Sequence, residues 1–426
     1  MDDDAFSLDD YLEAHAPTDQ SDALVLVHRD ERTRWAFAQS LPPPRTLARA
    51  SSSASIVDVG AGVGVGLFAS RGVGGGAVVA RAAPIAHAAR GDGACCDVCL
   101  SPADAPVACR GGCGGVVYCR ACSSSARAAR HIARGECAAL RKWKHLGAPP
   151  PSCLLASRVL RAMADGGVRA YVERLHRASD EVLAEDDGLT AAAEVAARLA
   201  GSDAKAAAAV LGALRRNAHS VCDEELREVG VALYPREITA ANHSCAPTIW
   251  PRFARAPGAP PTLEYVALRS LEPGAELCHE YLDLATPDRR AALRRGYGFQ
   301  CACAVCVGGG PSLDGVRARR GAMEAAIAAR DWPAAAREAE ALAHLEDRFA
   351  AGHPYVAVHR LRCAKLRLAL GDDAAAQRHA VLAKIRLDTS HGRGSALARE
   401  AADLVRDLDD DDADFDWRAA VPRRGA

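Results

Sequence analysis

Asn242-His243-Ser244-Cys245, Glu280-Tyr281-Leu282-Asp283 and Cys301-Ala302-Cys303-Ala304-Val305-Cys306 bring three chemistries into one stretch of the chain. The first is a polar turn able to hold a nucleotide-like cofactor. The second sets a tyrosine among acidic residues. The third offers three thiolates at metal-ligand spacing and leaves one tetrahedral position, which Cys245 is placed to fill. Taken singly, each has a plainer reading as a satisfied turn, a core tyrosine or a structural metal knot, so their order along the chain matters more than any one of them.

A second cysteine block lies upstream. Cys96-x2-Cys99, Cys109-x3-Cys113, Cys119-x2-Cys122 and His131-x5-Cys137 form four ligand pairs, the number that two tetrahedral zinc ions require. Gly111, Gly112, Gly114 and Gly115 give the tight backbone a metal knuckle needs. A structural zinc contributes on the order of 10 kcal/mol or more to so small a module, so this block is expected to fold only with metal. Of the 16 cysteines, Cys95, Cys153, Cys222, Cys278 and Cys363 fall outside these spacings and read as ordinary thiols. The chain opens on Met1-Asp2-Asp3-Asp4 rather than a basic leader, and no long uninterrupted apolar run follows. The expectation is a nuclear or cytoplasmic protein with no membrane partner, in a reducing compartment where metal explains cysteines better than disulfides.

These groups must be positioned by a scaffold whose outline the composition gives. Lys and Arg total 53 against 54 Asp and Glu, so bulk charge gives no reason to make nucleic acid a primary partner. Basic residues from Arg127 to Lys144 read as a solvated helix face. Residues 1–54, acidic and then broken by Pro42-Pro43-Pro44, read as a poorly ordered extension. Over 55–94, glycines alternate with apolar residues, and Leu67-Phe68-Ala69 and Ala77-Val78-Val79-Ala80 are predicted strands. The cysteine block spans 95–145, and an alanine-rich helical insert spans 150–215. Strand character returns over 216–290, at Val231 to Tyr234, Leu263 to Leu268 and Glu276 to His279. The second cysteine segment covers 291–307. Similar segments beginning at Asp331 and Asp372 suggest stacked helix pairs of the tetratricopeptide (TPR) kind over 312–408, and 409–426 reads as an acidic tail.

Taken together, these residues resemble the SET domain, and with the inserted cysteine block they resemble the SMYD family of protein-lysine methyltransferases. The resemblance covers roughly 60–306 and runs through Asn217, Glu228 to Pro235, Asn242-His243-Ser244-Cys245, Tyr281-Leu282-Asp283, Arg289-Arg290, Tyr297-Gly298-Phe299 and the three later cysteines. It implies an α+β fold: a β-rich SET core with an inserted MYND zinc finger and helical insert, a zinc-binding post-SET segment and an all-α TPR-like C-terminal lobe. The implied zinc pairing is interleaved, with Cys96, Cys99, Cys119 and Cys122 on one ion and Cys109, Cys113, His131 and Cys137 on the other. Cys245, Cys301, Cys303 and Cys306 would hold the third, and all three zincs would be structural.

The same resemblance implies S-adenosyl-L-methionine as cofactor, contacted by Gly64, Gly66, Leu67, Asn217, Thr239, Asn242, His243, Tyr281 and Phe299. Tyr281 and Tyr297 match the tyrosines of the catalytic lysine channel. A histone or non-histone lysine is the implied substrate, a proline-containing peptide the implied partner of the finger, and a monomer the implied state. The chain departs from the family where Val63 and Val65 stand, since one or both positions usually carry Arg, Lys or Asn. Losing one charged hydrogen bond there would cost about 1.5 to 3 kcal/mol, or about tenfold to a hundredfold in affinity. The competing expectation is therefore a non-catalytic adaptor that binds partners through the finger and the helical lobe.

Overall fold

The computed structural model of the chain describes residues 45–49, 51, 53–60, 64–176, 187–283, 285–307, 315–346 and 352–409. The glycine-spaced apolar residues form a meander in which β1 (Arg45–Arg49), β2 (Ala54–Gly60) and β3 (Gly64–Ala69) pair antiparallel in that order. Alternation along these strands buries Ala54, Ile56 and Leu67. A second antiparallel sheet runs β10 (Ile249–Ala254), β11 (Thr262–Ala267), β4 (Val78–Ala82), with Leu263 and Tyr265 fully buried.

The third sheet places β9 (Glu228–Leu233) between β5 (Ala86–Ala89) and β8 (Ala218–Cys222). β9 is central and buried along most of its length, which suits its run of Val, Ala and Leu. Gly230 is what lets β5 approach: a Cβ there would lie 2.4 Å from the Ala88 carbonyl oxygen and 2.9 Å from Leu100.

Between β5 and β8 the chain makes two excursions. The first is the cysteine block, with the short pair β6 (Val107–Ala108) and β7 (Val117–Tyr118) and helices α1 (Ala126–Ala133) and α2 (Glu136–Trp143). Ser125 caps α1 by accepting from the Ala128 amide, and Gly135, at φ 77°, makes the break before α2. The second comprises α3 (Pro151–Ala162), α4 (Gly166–Val172), α5 (Asp187–Ala200) and α6 (Ala204–Asn217), with Asp165 and Asp203 capping α4 and α6. Val98, Tyr118 and Leu140 of the cysteine block, Leu155 and Val159 of α3, and Leu211 and Leu214 of α6 share one core with Val231 and Leu233. The cysteine block is thus packed into the body of the protein rather than tethered to it.

Beyond β9 come α7 (Arg236–Thr239), α8 (Arg289–Tyr297) and α9 (Ala304–Val307). Five longer helices follow: α10 (Val316–Ala328), α11 (Trp332–Glu346), α12 (Pro354–Ala369), α13 (Asp373–Ser390) and α14 (Ala396–Asp409). They pack in sequence around Met323, Leu342, Leu361, Leu387 and small alanines. The approach to α12 depends on Gly352, whose Cβ would lie 2.3 Å from the Leu268 carbonyl oxygen. His391 Nε2 reaches the Glu224 carbonyl at 2.9 Å, so the end of α13 also touches the core. None of the described helices is long and apolar enough to cross a membrane.

Three expectations are corrected. The extension read over 1–54 contains β1 and the start of β2, because the ladder to β2 orders Arg45–Arg49 without any apolar pattern of its own; residues 1–44 lie outside the described residues. Glu276 to His279 is not a strand. It makes isolated bridges from Glu276 to Phe68 and from His279 to His243, joining two segments without laddering along either. Asp409 belongs to α14, and the rest of the predicted tail lies outside the described residues.

Gly230→Ala is expected to lower stability by about 1 to 3 kcal/mol through overpacking. The control Gly74→Ala, with nothing within 4 Å of its added methyl, should leave the denaturation midpoint unchanged. Equal midpoints for the two variants would show that β5 and β9 are not closely packed.

Candidate functional site

Three groups of donors converge, each with ligand atoms all within 4.8 Å of one another: Cys96, Cys99, Cys119 and Cys122; Cys109, Cys113, His131 and Cys137; and Cys245, Cys301, Cys303 and Cys306. Observed separations include 4.0 Å between the Cys99 and Cys119 sulfurs and 3.7 Å between those of Cys109 and Cys137. In the third group Cys245 lies 3.9 Å from Cys301 and 3.6 Å from Cys306. Sulfurs on a tetrahedral zinc at about 2.3 Å sit roughly 3.8 Å apart, so the donor sets fit that ion. Their electrostatics fit it too. In the third group, hydrogen bonding to Cys301 drives the Cys245 thiol far up while bonding from Cys245 draws Cys303 far down, because adjacent thiolates cannot all ionise without a cation.

The second group has an outer support. His131 Nε2 lies 3.4 Å from the Cys113 sulfur, and its Nδ1 faces Glu136 Oε1 at 3.4 Å. That carboxylate accepts from Nε (2.9 Å) and Nη2 (2.6 Å) of Arg158, which also forks onto Asp97 at 3.0 and 2.7 Å. Burial would raise the Glu136 carboxyl, yet the Arg158 charge and the His131 contact hold it down at about 2. An ionised Glu136 at 3.4 Å favours a proton on Nδ1, the tautomer that offers Nε2 to a metal, although the pair does not meet hydrogen-bond geometry here.

The third group is continuous with a wall of rings. Cys245, Cys301 and Val356 share a cluster with Tyr281, Tyr297 and Phe299. Ring centroids run 5.4 Å from His219 to His279, 4.9 Å from His279 to Tyr281 and 4.8 Å from Tyr281 to Tyr297. These four rings, with Asn217 and Thr239, line one side of a cavity of about 590 Å³, and Tyr355 and His391 close it from the C-terminal helices. Burial lowers His219 to about 4, lowers His279 well below its usual value, and raises Tyr281 well above the usual phenol range. The wall is therefore uncharged near pH 7.

The Tyr281 hydroxyl donates to the Ala241 carbonyl (2.9 Å), and the Tyr297 hydroxyl donates to the Tyr281 carbonyl (3.3 Å). The Tyr281 amide donates to His243 Nδ1 (3.0 Å), and His243 Nε2 lies 3.3 Å from the Cys245 sulfur. His243 and Phe299 flank Tyr281 from behind, at 5.3 and 6.2 Å.

The expected cofactor residues fall into two sets. Asn217, Thr239 and Tyr281 line the cavity, whereas Gly64, Gly66, Leu67, Asn242, His243 and Phe299 are not among its lining residues; His243 and Phe299 reach it only through their ring contacts to Tyr281. Asn242 Nδ2 donates to the Val65 carbonyl (3.2 Å) and to Glu276 Oε1 (2.9 Å), which pins β3 beside the turn. Asn217 Nδ2 donates to the carbonyls of His176 and Ala213 at 2.9 and 2.7 Å. What either amide can offer a ligand is its Oδ1 acceptor. Thr239 Oγ1 shares a 2.8 Å bond with the Tyr171 hydroxyl. The Leu67 side chain is in the core, so only its backbone could serve a ligand, and its carbonyl accepts from Leu277 at 2.7 Å. Gly64, at φ 79°, has open space around it, as a covering loop needs. Val63 lies outside the described residues. The structure thus brings Asn217, Thr239 and Tyr281 to one cavity, and sets Gly66 and Asn242 together at β3.

His219, His279, Trp250 and Tyr355 were not anticipated as site residues. They lie on different elements, and nothing in the local pattern marks them as neighbours. A weak signal was available, since Cys278 and His279 open the very segment that carries Tyr281.

Glu136→Gln is expected to weaken zinc binding at the His131 group by about 10- to 100-fold while sparing the Cys96 group. Competition of the purified protein with a chromogenic chelator should resolve one weakened ion out of three. An unchanged titration would remove Glu136 from the metal's support.

No protein-family model matches the chain. It is 40% identical over 92 residues to the human histone-lysine N-methyltransferase SMYD3, 35% identical over 92 residues to the N-lysine methyltransferase SMYD2 of Gallus gallus, and 34% identical over 93 residues to the histone-lysine N-methyltransferase ASHR1 of Arabidopsis thaliana. Each match covers 21% of this chain and only 20%, 20% and 18% of the respective relative. Among solved structures, the SET domain of LSMT bound to lysine and AdoHcy aligns over 63% of this chain and 57% of that one, at 16% identity and a TM-score of 0.28, too low to carry an argument. The chain is a homologue, over the matched fifth of its length, of the SET–MYND methyltransferases SMYD2, SMYD3 and ASHR1.

Proposed function

We propose that the chain is an S-adenosyl-L-methionine-dependent protein-lysine N-methyltransferase whose substrate amine, from a histone or non-histone protein, enters through the ring-lined cavity. The observation that carries this reading is the wall His219–His279–Tyr281–Tyr297, set against the Asn242-His243 turn and backed by the third cysteine group. Its homology to enzymes named as lysine methyltransferases supports it further.

Asn217, Asn242, His243 and Phe299, with the Gly64–Gly66 backbone, would hold the cofactor, which when bound supplies an electrophilic methyl group on a sulfonium. The chain's own part is positioning. A lysine amine of reference pKa about 10.4 must lose its proton, and neutrality near pH 7 costs about 4 to 5 kcal/mol. The uncharged rings favour the neutral amine by desolvating it. Because the Tyr281 hydroxyl donates to Ala241, its oxygen is fixed in place and can accept from the amine's N–H. The three cysteine groups each have four protein donors, the closed arrangement of structural zinc, so none is assigned a step in the transfer.

An adaptor reading is favoured by one observation. Val65 stands where a charged contact to the cofactor would be expected, and the amide nitrogen of the neighbouring Asn242 is engaged within the protein. Calorimetry with S-adenosyl-L-methionine and transfer of its labelled methyl group to core histones decide between the two. We expect measurable binding and transfer, with Tyr281→Phe lowering transfer about a hundredfold while binding and the melting temperature hold. Neither heat nor transfer from zinc-replete protein would leave the adaptor reading standing.

A further inference from the structure

The loop that carries Tyr281 is held from outside the core. On one side of the tyrosine, Glu280 Oε2 meets His353 Nε2 at 3.2 Å, with both side chains buried. On the other side, Asp283 Oδ2 accepts from Nη1 of Arg320 at 2.7 Å. Arg320 belongs to α10 and His353 caps α12, so both partners come from the C-terminal helices.

The partners are themselves fixed. His353 stacks on Tyr355 (5.3 Å, 18°) and lies 5.2 Å from the ring of Trp250 on β10. The Arg320 guanidinium sits 4.7 Å from the centroid of the same Tyr355 ring. One aromatic residue therefore touches both Arg320 and His353. Gly352 sets the close approach that brings this assembly onto the core, because any side chain there would strike the Leu268 carbonyl.

We propose that Arg320 and His353 are positioning residues for Tyr281, acting through Asp283 and Glu280, so that the catalytic wall is complete only while the C-terminal helices are docked. The proposal rests on the methyltransferase reading for its consequence in catalysis, and on the Arg320–Asp283 ion pair and the His353–Glu280 contact for its structure. The Tyr281 hydroxyl and amide are held from the core side by Ala241 and His243, and the acidic residues on either side of it are held from the C-terminal helices. The helices supply a guanidinium on one side and an imidazole contact on the other.

Hydrogen exchange of the full-length, zinc-replete chain without cofactor tests the clamp directly. Arg320→Ala, which removes a partly exposed side chain, is expected to speed amide exchange at residues 280–283 about five- to tenfold while β10 and β11 keep wild-type rates. Arg320→Lys should restore most of the protection, and Asp283→Asn combined with Arg320→Ala should add little to either alone. With labelled S-adenosyl-L-methionine and core histones, kcat of Arg320→Ala should fall about tenfold, with KM for the cofactor within twofold of wild type. Unchanged exchange at 280–283 in both Arg320→Ala and Asp283→Asn overturns the proposal, as does faster exchange spread evenly over α10 to α14. If wild-type protein transfers no methyl group but the local exchange effect is present, the methyltransferase reading fails and the clamp stands.

Discussion

One guanidinium ties the architecture together. Arg158, on α3 and largely buried with 13% of its side chain exposed, donates to the His87 carbonyl of β5 at 2.7 Å, to both oxygens of Asp97 and to Glu136. Asp97 sits between Cys96 and Cys99 of the first metal group, and Glu136 precedes Cys137 of the second. Two carboxylates and a backbone carbonyl satisfy a charge that could not otherwise be buried. In such a site the loss of one partner leaves an uncompensated ion and typically costs about 3 to 5 kcal/mol. The third sheet, the helices between the cysteine block and β8, and two donor groups of that block therefore share a single electrostatic joint.

From that joint the order reaches the cavity by packing. α3 and α6 bury Leu155 and Leu214 in the same core, α6 ends at Asn217, and β8 begins one residue later and carries His219 into the wall. The third cysteine group shares its cluster with Tyr297, Phe299 and Val356, so the segment from Cys301 to Cys306 and α12 brace the tyrosines together. A metal in the second or third donor group would tie loop residues to the short helices that carry His131, Cys137 and Cys306.

Legibility in the sequence followed the range of the interactions involved. The cysteine groups could be read because each knuckle is encoded within a few residues. β3, β4, β9 and β11 were visible as apolar runs between glycines and prolines. β1 was not, since its order comes from a partner strand, and Glu276 to His279 read as a strand because alternation cannot distinguish isolated bridges from a ladder. The roles of Trp250, Arg320 and His353 were invisible for a deeper reason. Each is defined by a contact across the fold, and no local spacing predicts that an arginine on one helix will neutralise an aspartate beside a tyrosine far upstream.

The interruption of the third sheet has a consequence for how the protein is made. β5 emerges from the ribosome with its partner β9 unsynthesised, and everything from the first zinc knuckle to the end of α6 must appear before Ala86 can pair with Leu233. During that interval the edge of β5 is unprotected, a known hazard for aggregation. Val98, Tyr118 and Leu140 belong to the same core as the waiting strands, so the excursion must settle before that core can close. With donor groups of the zinc-binding type inside it, metal supply at the moment of translation would bear on how much of the chain reaches its native state.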